Sequence, residues 1–216
     1  MRTLLTILMT MMLLLTACGG GNAQTGADTS APKETQTTAS ARSDQRVLVV
    51  YFSRADENTG GVGYIEKGNT KILAEMIAER THGDLFEIKT AKPYPKEYRP
   101  ATEAAKQEKE ENARPEIVGD LPDLSKYDVV FLGYPIWWSD MPMLVYTFLD
   151  RENFAGKIIL PFCTHEGSGL SGTDRTIAET TKADVKDGFA LAGHIAQNSP
   201  DEARSALYEW MSKQGY

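Results

Sequence analysis

Hydrophobic and polar positions follow two patterns along this chain, one typical of buried strands and the other of amphipathic helices. Short, mostly apolar runs predict strands buried within a sheet, and they occupy residues 47–52, 128–133, 157–163 and 188–193. Residues 84–89 instead alternate apolar and charged side chains, which is typical of a strand at a sheet edge. The pattern therefore predicts five strands.

Each predicted strand is followed by a segment with helical character. After the first strand, one stripe of a helix over residues 71–80 is apolar, formed by Ile72, Leu73, Met76 and Ile77. Further helices are predicted over residues 96–112, which we expect at the surface, and over 143–149, 173–181 and the segment after Ser199. Strands alternating with helices form a parallel sheet covered on both faces, so we expect one three-layer α/β/α domain.

The first 44 residues differ in composition from the rest of the chain. Residues 1–17 combine an early arginine with a mostly apolar run, which predicts a secretion signal, and small residues precede Cys18 as in bacterial lipoprotein signals. The apolar run is shorter than the roughly 20 residues that a membrane-spanning helix needs. We therefore expect lipidation at Cys18, with an ordinary cleaved signal and an incidental Cys18 as the alternative.

Residues 18–44 are small and polar, so they cannot bury enough apolar surface to fold. We expect them to form a flexible tether between the lipidated cysteine and a folded domain at residues 45–216. A domain of this size is long enough to bury a substantial core.

Composition argues against several functions. The formal net charge is −7, so the chain lacks the basic surface that nucleic acid requires. Cys18 belongs to the predicted signal, so we expect no intramolecular disulfide. We expect Cys163 to be a small buried hydrophobic residue. The three histidines are dispersed, which predicts no metal site.

Three loops of unusual composition follow the predicted buried strands. In open parallel sheets, ligands bind beyond the carboxyl ends of the strands, where the strand order reverses. Loop 53–70 carries hydroxyl and amide side chains beside a helix N-terminus, which favours a phosphate group. Loop 134–140 carries adjacent tryptophans, and loop 164–170 is rich in glycine, so its backbone can approach a ligand closely. Together the loops indicate a nucleotide with a flat ring system.

The segments VLVVYFS…GNT, YPIWWSDMP and PFCTHEGSGL resemble the three flavin-contacting loops of flavodoxin-like proteins, and the resemblance covers about residues 46–214. It implies a flavodoxin-like, doubly wound, five-stranded parallel sheet of strand order 2-1-3-4-5, with non-covalent flavin mononucleotide (FMN) as cofactor. The implied phosphate contacts are Ser53, Arg54, Gly68, Asn69, Thr70 and Lys71. The implied contacts to the isoalloxazine ring are Pro135, Ile136, Trp137 and Trp138, and those to its pyrimidine side are Thr164, His165, Glu166, Gly167, Ser168 and Gly169.

Two departures from the simplest flavodoxin pattern bear on function. Residues 55–67 interrupt the phosphate loop and contain three glycines, so we expect a mobile flap whose Tyr64 can reach the flavin or a substrate. The tryptophan loop has no glycine between Pro135 and Pro142. A glycine eases the peptide reorientation that supports one-electron chemistry in electron-transfer flavodoxins, so its absence favours two-electron chemistry.

Three functions remain open at this point. The first is an electron carrier for membrane-associated partners, lipid-anchored outside the cytoplasmic membrane in a bacterial cell envelope. The second is an FMN-dependent reductase that takes hydride from a nicotinamide dinucleotide and reduces a quinone or similar small-molecule acceptor. The third is a non-redox lipoprotein that binds another anion or a partner on the same fold. His165, with an ordinary pKa near 6.5, is either a proton donor or a contact at the ring edge.

Overall fold

The computed structural model describes residues 45–216, so the predicted signal (1–17), tether (18–44) and lipidation of Cys18 lie outside the described residues. The strands are β1 Val47–Tyr51, β2 Asp56–Asn58, β3 Gly63–Ile65, β4 Asp84–Glu87, β5 Val129–Pro135, β6 Ile158–His165, β7 Asp184–Val185 and β8 Phe189–Ala192. The α-helices are α1 Asn69–Thr81, α2 Tyr98–Glu110, α3 Met143–Arg151, α4 Thr173–Thr181, α5 Gly193–Asn198 and α6 Pro200–Lys213, and Leu124–Lys126 form a 3-10 turn.

The main sheet is parallel and runs in the order β4-β1-β5-β6, with β7 and β8 sharing the last position. Each of the inner pairs keeps a continuous register, for example Val49 of β1 opposite Phe131 of β5 and Phe131 opposite Leu160 of β6. This is the predicted order 2-1-3-4-5, and the flavodoxin-like doubly wound α/β fold is confirmed.

The apolar residues of β1 divide between two cores, one on each face of the sheet. Val47, Val49 and Tyr51 pack with residues of α1, α5 and α6, whereas Leu48 and Val50 pack with residues of α3 and α4. All five residues of β1 are buried, which explains why its sequence is a continuous apolar run. The domain therefore has the three predicted layers.

The fifth position of the sheet differs in detail from the sequence-based prediction. A single strand over residues 188–193 was expected, but β7 pairs with the beginning of β6 and β8 with its end. Residues 186–188 separate the two pieces, and Lys186 donates its amide to the carbonyl of Ile159 at the junction. The short helix α5 then begins at Gly193, which the apolar pattern did not reveal.

The insertion at residues 55–67 forms an antiparallel β-hairpin, β2–β3, outside the main sheet. It is tied to the segment before α2, because the amide of Glu57 donates to the carbonyl of Lys96 and the Glu57 carboxylate accepts from the amide of Tyr98. The segment expected to be a flap is thus an anchored hairpin.

Across residues 45–216, no helix is both long and apolar enough to cross a membrane. The same part of the chain contains no group of three or more histidine, cysteine or acidic side chains positioned to hold a metal ion.

Candidate functional site

A cavity of about 440 Å³ opens at the carboxyl ends of the strands, within the roughly 300–1,000 Å³ range of cofactor sites. It lies where the strand order reverses, between the loops that follow β1, β5 and β6. Its walls also include the hairpin and α2. The lining residues are Asn58, Thr59, Asn69, Tyr98, Thr102, Ala105, Pro135, Ile136, Trp137, Trp138, Ser139, Thr164, His165, Glu166 and Ser168.

Helix α1 presents backbone donors at one end of this cavity. In the described part of the chain, the amides of Asn69 and Thr70 have no hydrogen-bond partner, as expected for the first residues of a helix. The first turn of α1 contains no acidic residue, which favours an anion at this helix end. Asn69 itself lines the cavity.

Ser53 and Gly68 form a tight cradle around the helix start. The amide of Lys71 donates to Ser53 Oγ at 3.0 Å, so Ser53 caps α1 from a distant part of the chain and retains its own hydroxyl proton. A Cβ at Gly68 would lie 2.3 Å from Ser53 Oγ and 2.5 Å from the carbonyl oxygen of Arg54. Only glycine fits at this position.

A second hydroxyl pair joins the first and third loops. Thr70 Oγ1 and Thr164 Oγ1 lie 2.8 Å apart and both residues are buried. One of them donates to the other, which leaves the second hydroxyl proton available to a ligand.

The tryptophan loop is a tight turn with unusual backbone geometry. Trp137 and Asp140 exchange two backbone hydrogen bonds of 2.8 and 3.1 Å, and the two residues between them have positive φ, 52° for Trp138 and 57° for Ser139. Type I′ turns have this pattern and favour asparagine and glycine. A residue with a side chain in such a conformation costs about 1–3 kcal/mol, and such strain concentrates at functional sites.

Trp137 is supported by two further aromatic rings. The centroids of Phe52 and Tyr94 lie 5.4 and 5.0 Å from that of Trp137, both in edge-to-face geometry. The Tyr94 hydroxyl donates to Glu108 at 2.7 Å, so Glu108 turns inward while much of α2 is solvated. Burial raises the pKa of Glu108.

Trp138 is held by α2. Its indole Nε1 donates to the carbonyl oxygen of Thr102 at 2.8 Å, and Lys109 Nζ donates to the Trp138 carbonyl oxygen at 2.7 Å. Lys109 also pairs with Asp140 at 3.2 Å, and Lys106 Nζ lies 5.7 Å from the centroid of the Trp138 indole. About half of Trp138 stays exposed at the mouth of the cavity.

His165 ends β6 with a defined tautomer. The amide of Gly167 donates to His165 Nδ1 at 2.9 Å, so the proton of the neutral ring lies on Nε2. Burial lowers the pKa of His165, in agreement with a neutral ring. His165 can therefore donate a hydrogen bond into the cavity without carrying a charge.

Glu166 links three elements beside the cavity. Its carboxylate accepts from the amide of His194 at 3.0 Å and lies 2.7 Å from His194 Nδ1, at the start of α5. The tip of the hairpin rests against the same carboxylate, because a Cβ at Gly60 would lie 2.4 Å from Glu166 Cδ. Gln197 of α5 in turn donates to Asn69 Oδ1 at 2.8 Å, so α5 joins the first loop to the third.

Many of the predicted site residues line the cavity in the structure, whereas others lie near it without lining it. Asn69, Pro135, Ile136, Trp137, Trp138, Thr164, His165, Glu166 and Ser168 line it. Ser53, Gly68 and Thr70 surround the start of α1 without lining the cavity, and Gly167 and Gly169 shape the third loop at positive φ.

Two predicted phosphate contacts have side chains engaged elsewhere. Arg54 donates to the carbonyls of Glu57, Pro95 and Lys96, and it lines a separate cavity with Ser53. Lys71 Nζ pairs with Glu87 at 3.2 Å. Tyr64 is 63% exposed, donates to Asp56 and does not line the main cavity.

Sequence reasoning missed one wall of the cavity. Tyr98, Thr102 and Ala105 of α2 line it. Their spacing of i, i+4 and i+7 places them on one helix face, and that stripe was the signal available in the sequence. The hairpin residues Asn58 and Thr59 carried no comparable signal.

A doubly wound α/β domain with a free helix N-terminus and an aromatic turn at its switch point has the features of a nucleotide-binding protein. The family model described as flavodoxin matches residues 46–213. The chain belongs to the flavodoxin family, whose cofactor is FMN and whose members are redox flavoproteins.

Solved structures agree with this assignment. Proposed flavoproteins from Bacteroides eggerthii DSM 20697 and Bacteroides uniformis ATCC 8492 are 27% and 26% identical to the chain, each with a TM-score of 0.61. These alignments cover 78% of this chain and 97% and 98% of those chains. A flavoprotein from Lactobacillus acidophilus NCFM, solved in complex with FMN, has the same fold at 20% identity and a TM-score of 0.53, covering 71% of this chain and 97% of that one. No curated protein matches the chain.

The described residues suit both the phosphate end and the ring end of FMN. The free amides of Asn69 and Thr70 and the glycine-only cradle at Gly68 suit a phosphate monoester. Trp137 and Trp138 supply flat apolar surface for the ring. When bound, FMN supplies the electron-transfer chemistry, and the protein supplies orientation, electrostatics and access.

Proposed function

We propose that this chain is a lipid-anchored FMN protein of the bacterial cell envelope that carries electrons for membrane-associated redox partners. Its single strongest support is the cavity that runs from the N-terminus of α1 to the exposed tryptophan turn. A cofactor in that cavity would have its phosphate end at the start of α1 and its ring end beside the exposed Trp138.

The end of the cavity at the start of α1 has several hydrogen-bond donors that would retain the phosphate group of the cofactor. A phosphate at the start of α1 gains two free amides, the Ser53 hydroxyl proton and one proton from the Thr70–Thr164 pair. Hydrogen bonds within the protein position the two hydroxyl groups without a ligand, which favours tight non-covalent binding. Neither the Arg54 guanidinium nor the Lys71 ammonium is needed for this role.

The ring end supports exchange of electrons with a partner. Trp138 is 49% exposed and Tyr98 is 40% exposed, and both lie at the rim of the cavity. Exposed aromatic side chains around a cofactor edge are the kind of surface that protein partners cover. The anchor predicted at Cys18 and the polar tether of residues 18–44 would keep this surface near the membrane.

Stepwise reduction by dithionite of the full-length protein in detergent, loaded with FMN and followed by absorbance, tests this proposal. A carrier is expected to bind FMN stoichiometrically and to accumulate one-electron-reduced flavin during the titration, and its reduced form is expected to pass electrons rapidly to a redox protein in the same membrane extract. Mass spectrometry of the mature N-terminus tests the diacylglyceryl modification, and C18S is expected to move the protein from the membrane to the soluble fraction. A colourless protein that takes up no FMN would favour the non-redox alternative.

A reductase is the second candidate, and His165 favours it. A neutral ring with a proton on Nε2 lines the cavity, where it can donate a hydrogen bond to a bound acceptor. The hairpin and α2 also frame a cavity instead of a flat docking face. Rapid oxidation of NADH or NADPH upon addition of a soluble quinone would favour this function over the carrier.

A further inference from the structure

We infer that Lys109 is a positioning residue for the cofactor ring, because it fixes the orientation of the Trp138–Ser139 peptide at the cavity. This inference rests on the proposed FMN site. Lys109 is part of α2, does not line the cavity and acts only through the turn that does.

The turn at residues 137–140 needs contacts from another part of the protein to keep its backbone conformation. Two consecutive residues with side chains, Trp138 and Ser139, adopt positive φ without a glycine or asparagine to ease that conformation. The turn's own two hydrogen bonds join Trp137 to Asp140 and leave the central peptide unsupported. Something else must favour this geometry over the alternatives.

Helix α2 supplies that support at two positions one heptad apart. Thr102 accepts the Trp138 indole proton at 2.8 Å, and Lys109 donates to the Trp138 carbonyl oxygen at 2.7 Å. Because the two positions are seven residues apart, they lie on the same helix face. One fixes the side chain of Trp138 and the other fixes its backbone.

Lys109 is itself anchored at the other end of the turn. Its ammonium lies 3.2 Å from Asp140 Oδ2, and Asp140 Oδ1 accepts from the amide of Met141 and the hydroxyl of Tyr146. The Asp140 side chain is only 23% exposed, so this pair is less accessible to solvent than most surface pairs. Lys109 therefore joins the carbonyl of Trp138 to a fixed carboxylate.

The consequence for a ligand follows from peptide planarity. In a trans peptide the carbonyl and the N–H point in opposite directions. With the Trp138 carbonyl held towards Lys109, the amide of Ser139 points away from α2, and within residues 45–216 it has no hydrogen-bond partner. Ser139 lines the cavity, so its unpaired amide is available as a donor to a bound ring, while the carbonyl oxygen of Trp138 is occupied by Lys109.

Four full-length proteins test this inference: wild type, K109M, K109R and K106M. Lys106 lies one turn earlier, and its ammonium lies over the same indole at 5.7 Å from the ring centroid. Within residues 45–216 its side chain makes no hydrogen bond to the backbone of the turn, so K106M is the matched control. K109R retains a cationic donor and is expected to behave as wild type. We expect K109M to weaken FMN binding threefold to tenfold, and K106M to change it less than twofold.

Two measurements separate positioning from a general loss of stability. In the FMN-free proteins, exchange of the Trp138 indole proton is followed by NMR, with assignment by W138F, and K109M is expected to speed it at least fivefold. In the FMN-loaded proteins, the fraction of one-electron-reduced flavin during dithionite titration is expected to rise at least twofold in K109M alone. Unchanged indole exchange and unchanged titration in K109M would overturn the inference. Failure of wild type to bind FMN would instead overturn the proposed function, while the indole measurement would still decide whether Lys109 holds the turn.

Discussion

The amide of Lys71 donates a hydrogen bond to Ser53 Oγ at 3.0 Å, although the two residues are 18 positions apart in the chain. A serine that follows β1 thus caps the helix that follows the whole hairpin insertion. The insertion leaves the phosphate loop intact because its two ends return to the same place. We therefore expect capping of α1 and binding of the cofactor phosphate to share the Ser53 side chain.

S53A is expected to remove both contributions of this residue. Loss of a helix cap lowers the free energy of unfolding by about 1 kcal/mol. A hydrogen bond to a charged group contributes about 1.5–3 kcal/mol, so loss of the hydroxyl proton is expected to weaken FMN binding by about tenfold to a hundredfold. Urea unfolding and flavin fluorescence quenching measure the two effects. S205A is the control, because Ser205 is exposed on α6 and bonds only the carbonyl of Asp201. Wild-type affinity in S53A would show that the phosphate lies elsewhere.

Two neighbouring glycines of the hairpin tip allow a matched comparison. Gly60 and Gly61 both have positive φ, 75° and 78°, but only a Cβ at Gly60 would meet the Glu166 carboxylate. Both alanine variants are expected to lose about 1–2 kcal/mol of local stability from backbone strain.

G60A alone is expected to displace the hairpin tip from Glu166, because His194 holds that carboxylate in place. Hydrogen exchange over residues 56–65 measures the displacement, and we expect faster exchange in G60A than in G61A. Equal exchange in the two variants would mean that the tip does not rest on Glu166 in solution.

His165 makes stability depend on pH in a predictable direction. Burial lowers its pKa below the ordinary value of 6.5, so between these two values the unfolded chain binds more protons than the folded one. The free energy of unfolding is therefore expected to fall as the pH drops below about 7. Above about 7, His165 is expected to make no contribution to the pH dependence of stability. Protonation would also require Nδ1 to give up the amide of Gly167.

Urea unfolding of wild type, H165N and H82N between pH 5 and 8 checks this expectation. H165N is expected to flatten the pH dependence, whereas H82N is expected to leave the contribution of His165 unchanged, because His82 is an exposed residue at the end of α1. A steeper loss of stability in H165N than in wild type would contradict the assignment.

Most of the fold was predictable because its strands are buried on both faces and its helices carry apolar stripes. The hairpin was not, since Asp56–Asn58 and Gly63–Ile65 lack apolar alternation and depend on tertiary bonds such as that from Glu57 to Lys96. The three loops that meet at the cavity were predictable from composition and resemblance. The positive φ values of Trp138 and Ser139 were not, because no local residue preference requires them and α2 imposes them from outside.

Gly133 of β5 is packed so closely against Phe162 of β6 that the sheet leaves no space for a side chain at this position. A Cβ there would lie 2.2 Å from Phe162 Cζ of the neighbouring strand, and both residues belong to the strands that carry the second and third loops. G133A is expected to destabilise the domain by about 1–3 kcal/mol through overpacking. The variant F162L, which removes the ring edge, is expected to relieve part of this effect.

A double-mutant cycle of G133A and F162L, measured by urea unfolding, tests whether the contact acts as the geometry indicates. The loss in the double variant is expected to be smaller than the sum of the two single losses, because the alanine methyl group occupies space that the shortened side chain leaves. FMN affinity is expected to fall in G133A as the loops after β5 and β6 shift, and to recover partly in the double variant. Strict additivity would show that Gly133 is required for a reason other than the ring of Phe162.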